Sequence, residues 1–453
     1  MIDMLTSTFE IMDINDWNEY DEYNYFYESN NFALLEKAHI NAIYGWAGDQ
    51  REETLIKLLT LCEKHHIDFY LALETTNEYL SLSFLKGKYK GYDELNQTEK
   101  DDLDRRFIKE IEHYSSYKAL KGIIFEDETG YLSFPAVIHA KEVFEKYFPN
   151  LEFHTNFLGY TINEQWFWCP VLPNGISIPE EMKPFKLEGD LEIKFENRFK
   201  YYPKFLNGLL EKSHFDFISF DKYPFECEWS EAPHFIHLAF IDGVAIFSEL
   251  KEKYNSEALA YLQVGMWFRE TSLLLDSEFS FMMHLIAMYG LTGFGYFPGF
   301  YPLDFVIKPN GLFNKDNGEA GLFDINGKPT RFYYLTLTMN EYFTSIEDDI
   351  LNSEFIGIKS YGTYFNNFDM EIAKKHADGE VIFDGTLPHI KLMENQDIEV
   401  KSNNNLLVSL FKKDNKNRYY LLNTSTLCEN EIEIVLPEGK YVVNGLNYKK
   451  EIS

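Results

Sequence analysis

One cluster of acids and one further aspartate in this chain follow directly on apolar runs. In KGIIFEDETG, Glu126, Asp127 and Glu128 come straight after Gly122–Phe125. In FDFISFDKYPF, Asp221 and Tyr223 come just beyond a second apolar run. Alternate side chains of a strand share a face, so Glu126 and Glu128 point one way and Asp127 the other. Carboxyl groups crowded at the floor of a pocket push one pKa upward, as a proton donor near neutral pH requires. Cleavage of a glycosidic bond uses such a donor with a second carboxylate as nucleophile or base. Glu128 is therefore the candidate general acid, with Asp127 or Asp221 as its partner. Asp221 also suits a sugar-hydroxyl ligand. The competing readings are a solvated acidic loop at 126–128 and a loop cap at Asp221.

Other residues near run ends suit a sugar ring and its hydroxyls. These are Tyr44 and Trp46 in HINAIYGW, Glu74 in IDFYLALE, Asn156 in LEFHTNF, Tyr223 after Asp221, Gln263 and Trp267 in ALAYLQVGMWF, and Tyr296 in LTGFGYFPGF. Aromatic rings stack on sugars but also fill cores, so each aromatic has a packing alternative. His234 and His237 are three apart but lack a carboxylate ligand in metal-site spacing, and His39 and His154 lie early in their runs, so no metal is expected. A GxSxG elbow, a P-loop and a GxGxxG turn are all missing, and no cofactor is implied.

Residues so far apart in sequence need a frame that gathers run ends on one side. Eight short β-rich runs supply it: 7–13, 39–46, 67–74, 120–128, 151–157, 215–224, 258–268 and 291–300. Helical patterns stand between them at 52–64, 99–117, 136–146, 233–253 and 277–290, and a closing one spans 331–351. The stretch 277–290 is apolar almost all round, which predicts deep burial. Such alternation predicts an α/β fold, a (β/α)8 TIM barrel, whose sites lie at the C-terminal ends of the strands. An open doubly wound sheet is disfavoured by the missing glycine-rich turn. After about residue 355 the pattern turns to short alternating runs with Asn, Gly and Lys between them. This predicts a barrel over 1–355 and a small antiparallel β-sandwich over 356–453 that braces it. A long loop holding Trp166 and Trp168 follows the fifth run, where barrels build their sites.

The 453-residue length also fits two domains. A formal net charge of −31 makes nucleic acid and anionic membranes poor partners and a neutral or cationic ligand more compatible; the carboxylate chemistry makes an oligosaccharide or glycoside the expected partner. Cys62, Cys169, Cys227 and Cys428 are far apart, so neither a zinc site nor a disulfide framework is expected. No apolar run approaches the ~20 residues of a membrane span, and the N-terminus does not read as a secretory signal. A cytoplasmic location follows as an expectation, and oligomeric state is left open.

The ordered motifs resemble those of bacterial barrel-type glycoside hydrolases. ALKGIIFEDETG resembles their GYYLxDEP strand, and FDFISFDKYPF their sixth strand. LAYLQVGMWF, MMHLIAMYGLTGFGYFPGF and DINGKPTRFYYLTLTMNEYF follow in the family's order, from about residue 119 to 345. LLVSLFKKDNKNRYYLLNTS resembles the β-domain that follows their barrel.

The resemblance implies a (β/α)8 glycosidase, loosely like the clan that includes β-galactosidases and cellulases. There the acid/base follows the fourth strand, which fits Glu128, and a Glu on the seventh strand is the nucleophile. This chain has Gln263 on that strand, with Glu270 further on, and Thr129 where the motif has Pro. The Asp127–Glu128 pair also looks like N-acetylhexosaminidases that use substrate assistance, with the Asp orienting the acetamido group. Inversion with Asp221 activating a water is a third mechanism. The alternative from another class is a catalytically silent carbohydrate-binding barrel.

Overall fold

The computed structural model describes residues 6–11, 29–46, 52–73, 75–76, 79, 92, 95–125, 128–159, 195–225, 238–265, 274–297, 299, 321–324, 327–361, 399–400, 406–423, 430–436, 439–445 and 449–452. Among the described residues, eight parallel strands alternate with eight α-helices. In chain order they are β1 (Thr6–Ile11), α1 (Ser29–Lys37), β2 (Ala42–Trp46), α2 (Glu52–His65), β3 (Asp68–Ala72), α3 (Gln97–Tyr114), β4 (Leu120–Ile124) and α4 (Phe134–Tyr147). Then come β5, in two runs Glu152–His154 and Asn156–Leu158, α5 (Phe195–Leu210), β6 (Phe217–Asp221), α6 (Leu238–Tyr254), β7 (Glu257–Gln263), α7 (Asp276–Met288), β8 (Gly293–Phe297) and α8 (Arg331–Leu351). The first run of β5 pairs with β4 and the second with β6. Strand β8 pairs with β1, so the sheet closes into a barrel.

Strand parity divides the barrel's side chains between two cores. Ala42, Tyr44, Tyr70, Ala72, Ile124, Phe217, Leu259 and Tyr261 form one cluster, joined by Tyr223 and Phe297. They alternate with Ile43, Phe69, Leu71, Ile123, Ile218, Phe220, Ala260, Leu262, Phe294 and Tyr296, which pack with the helices. The first set fills the lumen and the second the layer between sheet and helices.

At the floor of the lumen, Tyr70 Oη donates to Glu152 Oε2 at 2.5 Å, and Lys121 lies 3.2 Å from Glu152 Oε1. Gly122 lets β4 and β5 approach there, because a Cβ at this position would sit 2.2 Å from the Glu152 carbonyl oxygen. Gly122→Ala therefore forces these two strands apart. It is expected to cost about 3 kcal/mol or more, in the range of overpacked cores, read as a fall in denaturation midpoint.

The helices follow from their sequences. Asn96 accepts from Glu99 N at 3.1 Å and Glu99 Oε2 accepts from Asn96 N at 2.8 Å, a capping box that starts α3. Helix α2 ends with His65 bound to Glu36 at 3.0 Å, and the chain turns at His66 with φ 55°. The all-round apolar pattern of α7 is explained by its surroundings. It lies against β7, β8, α6 and α8, and its outer end is covered by the C-terminal strands.

Those strands form two antiparallel sheets. One is ordered β9 (Glu354–Tyr361), β11 (Leu406–Lys413), β12 (Lys416–Asn423), β15 (Lys449–Ile452); the other is β10 (Glu399–Val400), β13 (Asn430–Leu436), β14 (Gly439–Gly445). The β11–β12 hairpin turns on Asp414 and Asn415, both at positive φ, as a tight two-residue turn demands. Ser409 Oγ donates to the Met288 carbonyl at 2.6 Å, His284 Nδ1 bonds Tyr420 Oη at 2.6 Å, and Phe355 and Phe411 pack beside Gly290. The fold class is thus a (β/α)8 barrel followed by an antiparallel β-domain packed on α7. No described helix is long and apolar enough to cross a membrane.

Candidate active site

Among the described residues, β4, β5 and β6 bring polar side chains together at the C-terminal mouth of the lumen. Strand β6 is buried along its whole length and ends on Asp221. The parity that puts Phe217 in the lumen puts Ser219 and Asp221 there too. On β5 the same parity brings His154 and Asn156 inward. His154 lies flat on Phe217, ring centroids 3.9 Å apart.

A chain of hydrogen bonds connects these residues. His154 Nε2 bonds Ser219 Oγ at 2.8 Å, Ser219 Oγ donates to Asn156 Oδ1 at 2.6 Å, and Asn156 Nδ2 donates to Asp221 Oδ1 at 2.8 Å. Burial pushes the His154 imidazole down to a pKa of about 3, so the ring is neutral. Behind Asp221, Tyr202 on α5 is buried and donates to the Leu158 carbonyl at 2.6 Å. Burial, and after it the charge of Asp221, hold the Tyr202 phenol well above its ordinary range.

The exit of β5 is fastened to that of β6. Gly159 N donates to the Asp221 carbonyl at 2.8 Å. A Cβ on Gly159 would lie 2.5 Å from Lys222 Cβ, so the two exits meet closely.

Past β4, Glu128 is half-buried and has left-handed backbone, φ 49°. Non-glycine residues adopt this conformation at a cost of order 1–3 kcal/mol, and such strain gathers at functional sites. What fixes it is the next residue. Thr129 N donates to the Asn156 carbonyl at 3.0 Å, and the Thr129 and Thr155 hydroxyls bond each other. Asn156 therefore touches both acid-bearing exits, through its carbonyl toward Glu128 and its side chain toward Asp221.

Tyr44 lies in the lumen and is buried, while Tyr223 stacks at the mouth on Phe297 at 5.6 Å and 26°. Gln263 also faces the lumen and is fully buried. Its Oε1 accepts from Phe225 N at 2.9 Å and its Nε2 donates to the Gly265 carbonyl at 2.9 Å. The amide thus ties together the exits of β6 and β7. A carboxylate could keep the first bond but would set an oxygen against the Gly265 carbonyl. Gln263→Glu is therefore expected to lower stability by about 1–3 kcal/mol, measured by denaturant melt, without raising any glycosidase activity.

Tyr296, near the end of the eighth run, is not brought together with these lumen residues. Parity turns it outward, where it is fully buried, packs with Phe279 and donates to Asn340 Oδ1 at 2.8 Å. Its neighbour Phe297 takes the lumen position instead. Strand β2 carries Trp46 at its C-terminal end. Glu74, Asp127 and Trp267 lie outside the described residues, as do Glu126, Glu270, Trp166 and Trp168. His154, Ser219 and Tyr261 are lumen residues that reading by run ends passed over. The signal was present as parity, with His154 two before Asn156, Ser219 two before Asp221 and Tyr261 two before Gln263. Among the described residues no three His, Cys, Asp or Glu side chains are grouped to hold a metal ion.

Comparison with known proteins gives a structural likeness only. No family model matches the chain, and no curated protein matches it by sequence. A catalytic mutant of a GH42 β-galactosidase from G. stearothermophilus superposes with a TM-score of 0.55 at 9% identity, over 99% of this chain and 98% of that one. A family 39 glycoside hydrolase from Bacteroides cellulosilyticus WH2 does so with a TM-score of 0.51 at 11% identity, over 99% of this chain and 81% of that one. At such identities the likeness shows the fold alone.

Proposed function

We propose that this chain is a glycoside hydrolase acting on an oligosaccharide or glycoside at the C-terminal mouth of the barrel, with Glu128 as general acid and Asp221 as the partner carboxylate. One observation carries the reading. Asn156 holds the Asp221 carboxylate at 2.8 Å and accepts through its carbonyl from Thr129, next to Glu128, at 3.0 Å. Two carboxyl groups joined through one rigid strand residue meet the need for a fixed separation. The Tyr223–Phe297 pair supplies an aromatic wall for a sugar ring. The chemistry belongs to residues 1–355, and residues 356–453 brace the barrel through Ser409 and Tyr420.

The second reading is a carbohydrate-binding barrel without turnover. It is favoured by Gln263, whose amide is engaged with backbone where the resembled clan has its nucleophile. Incubation with a set of oligosaccharides, followed by product sizing and calorimetry, separates the two. Shortened products support the hydrolase. Heat of binding with the oligosaccharide returned intact supports the binding protein. An N-acetylhexosamine-containing sugar, if preferred, makes Asp127 the partner through substrate assistance.

A further inference from the structure

The polarity of the lumen's hydrogen-bond chain has chemical consequences. An ionised carboxylate only accepts, so Asn156 must present its amide nitrogen to Asp221. The amide oxygen then faces Ser219, whose hydroxyl must donate to it. With its proton so used, Ser219 Oγ accepts from His154, which is therefore the Nε2–H tautomer with a bare Nδ1. That Nδ1 is buried and has no hydrogen-bond partner among the described residues.

The reversed chain is equally easy to write. A protonated Asp221 would donate to Asn156 Oδ1, the flipped amide to Ser219, and Ser219 to His154 Nε2. His154 would then carry its proton on Nδ1, as a buried donor with nothing to donate to. A buried orphan N–H is the rarer and costlier arrangement. The His154 end of the chain thus favours the first polarity, the one that an ionised Asp221 requires.

We infer that Ser219 and His154 are positioning residues that lock the Asn156 amide with its nitrogen toward Asp221 and so hold Asp221 as the anion of the pair. The inference rests on the reading of Asp221 as an active-site carboxylate. It assigns the mobile proton to Glu128 and the permanent negative charge to Asp221. The low proton affinity of the buried His154 ring keeps the far end of the chain neutral. Among the described residues, the titratable groups facing Asp221 include Tyr202 on α5 and Tyr261, its register neighbour on β7, with Lys222 next in the chain.

The test labels aspartate carboxyl carbons with 13C and histidine rings with 15N in the full chain. The Asp221 signal is assigned with Asp221→Asn and the His154 signal with His154→Phe. In the unaltered protein His154 should show a protonated Nε2 and a bare Nδ1. Ser219→Ala should raise the Asp221 titration midpoint by about one pH unit, and Ser219→Thr, which keeps the hydroxyl, should return it. On a hydrolysed glycoside, the acid limb of kcat/KM should shift with that midpoint while KM changes little. A proton on His154 Nδ1, or a midpoint unmoved by Ser219→Ala, overturns the inference. The tautomer is read without any variant that must fold. The titration needs no substrate, so a chain that hydrolyses no sugar sinks the glycosidase reading and leaves this result to be judged separately.

Discussion

Glu128→Gln is expected to lower turnover of a glycoside with a poor leaving group by a factor of about 10²–10⁴, the usual contribution of general acid catalysis. Glutamine keeps the shape and hydrogen-bonding reach of the side chain but has no proton to give. A nitrophenolate departs without protonation, so substrates with such leaving groups should lose far less. The ratio between the two classes is the signature of an acid. A uniform loss on both would instead mean that Glu128 only helps hold the mouth together. The backbone argues for the first outcome, since φ 49° at Glu128 is held by the bond from Thr129 N to the Asn156 carbonyl of β5, whichever of the two side chains is present.

Asp221→Asn should show the opposite pattern. The partner carboxylate serves the step whatever group departs, so kcat should fall by about 10²–10⁴ on good and poor leaving groups alike. The amide keeps an oxygen that can accept from Asn156 and loses the charge and the second acceptor oxygen. Thermal stability should change little, because the substitution is isosteric, keeps that acceptor and removes a buried charge. A large drop in melting temperature with proportional loss of activity would show that Asp221 is a structural strand-end residue.

The barrel was legible because its signal is periodic. Each of the eight predicted runs contains or overlaps a strand, and the helix at 331–351 matches α8 from end to end. Strands came out shorter than the runs because the last residues of a run, such as Phe125 and Tyr223, continue the apolar pattern after pairing has ended. Helices α1 and α5 were not anticipated. SNNFALLEK is short and weakly patterned, and α5 carries Pro203 inside it, a residue that reads as a helix breaker.

For the candidate residues, strand parity predicts placement better than nearness to a run end. Asp221 and Asn156 stand at the ends of apolar runs and meet in the lumen. Tyr296 also stands near a run end but faces the helices, because it lies one residue from the lumen position that Phe297 holds. Gln263 was recognised as departing from a seventh-strand glutamate, but its tie between Phe225 and Gly265 depends on two loops meeting and has no sequence signature. The left-handed backbone of Glu128 likewise depends on Thr129 reaching a strand that lies later in the chain.

The most direct test of the central claim is a panel of aryl glycosides, N-acetylhexosaminides included, assayed with the unaltered chain and Glu128→Gln side by side. Turnover of at least one sugar is expected, reduced by orders of magnitude in the variant for poor leaving groups and recovered in part for activated ones. Equal turnover by both proteins would contradict the assignment of the acid, and oligosaccharide binding with no hydrolysis of any panel member would contradict the enzyme itself.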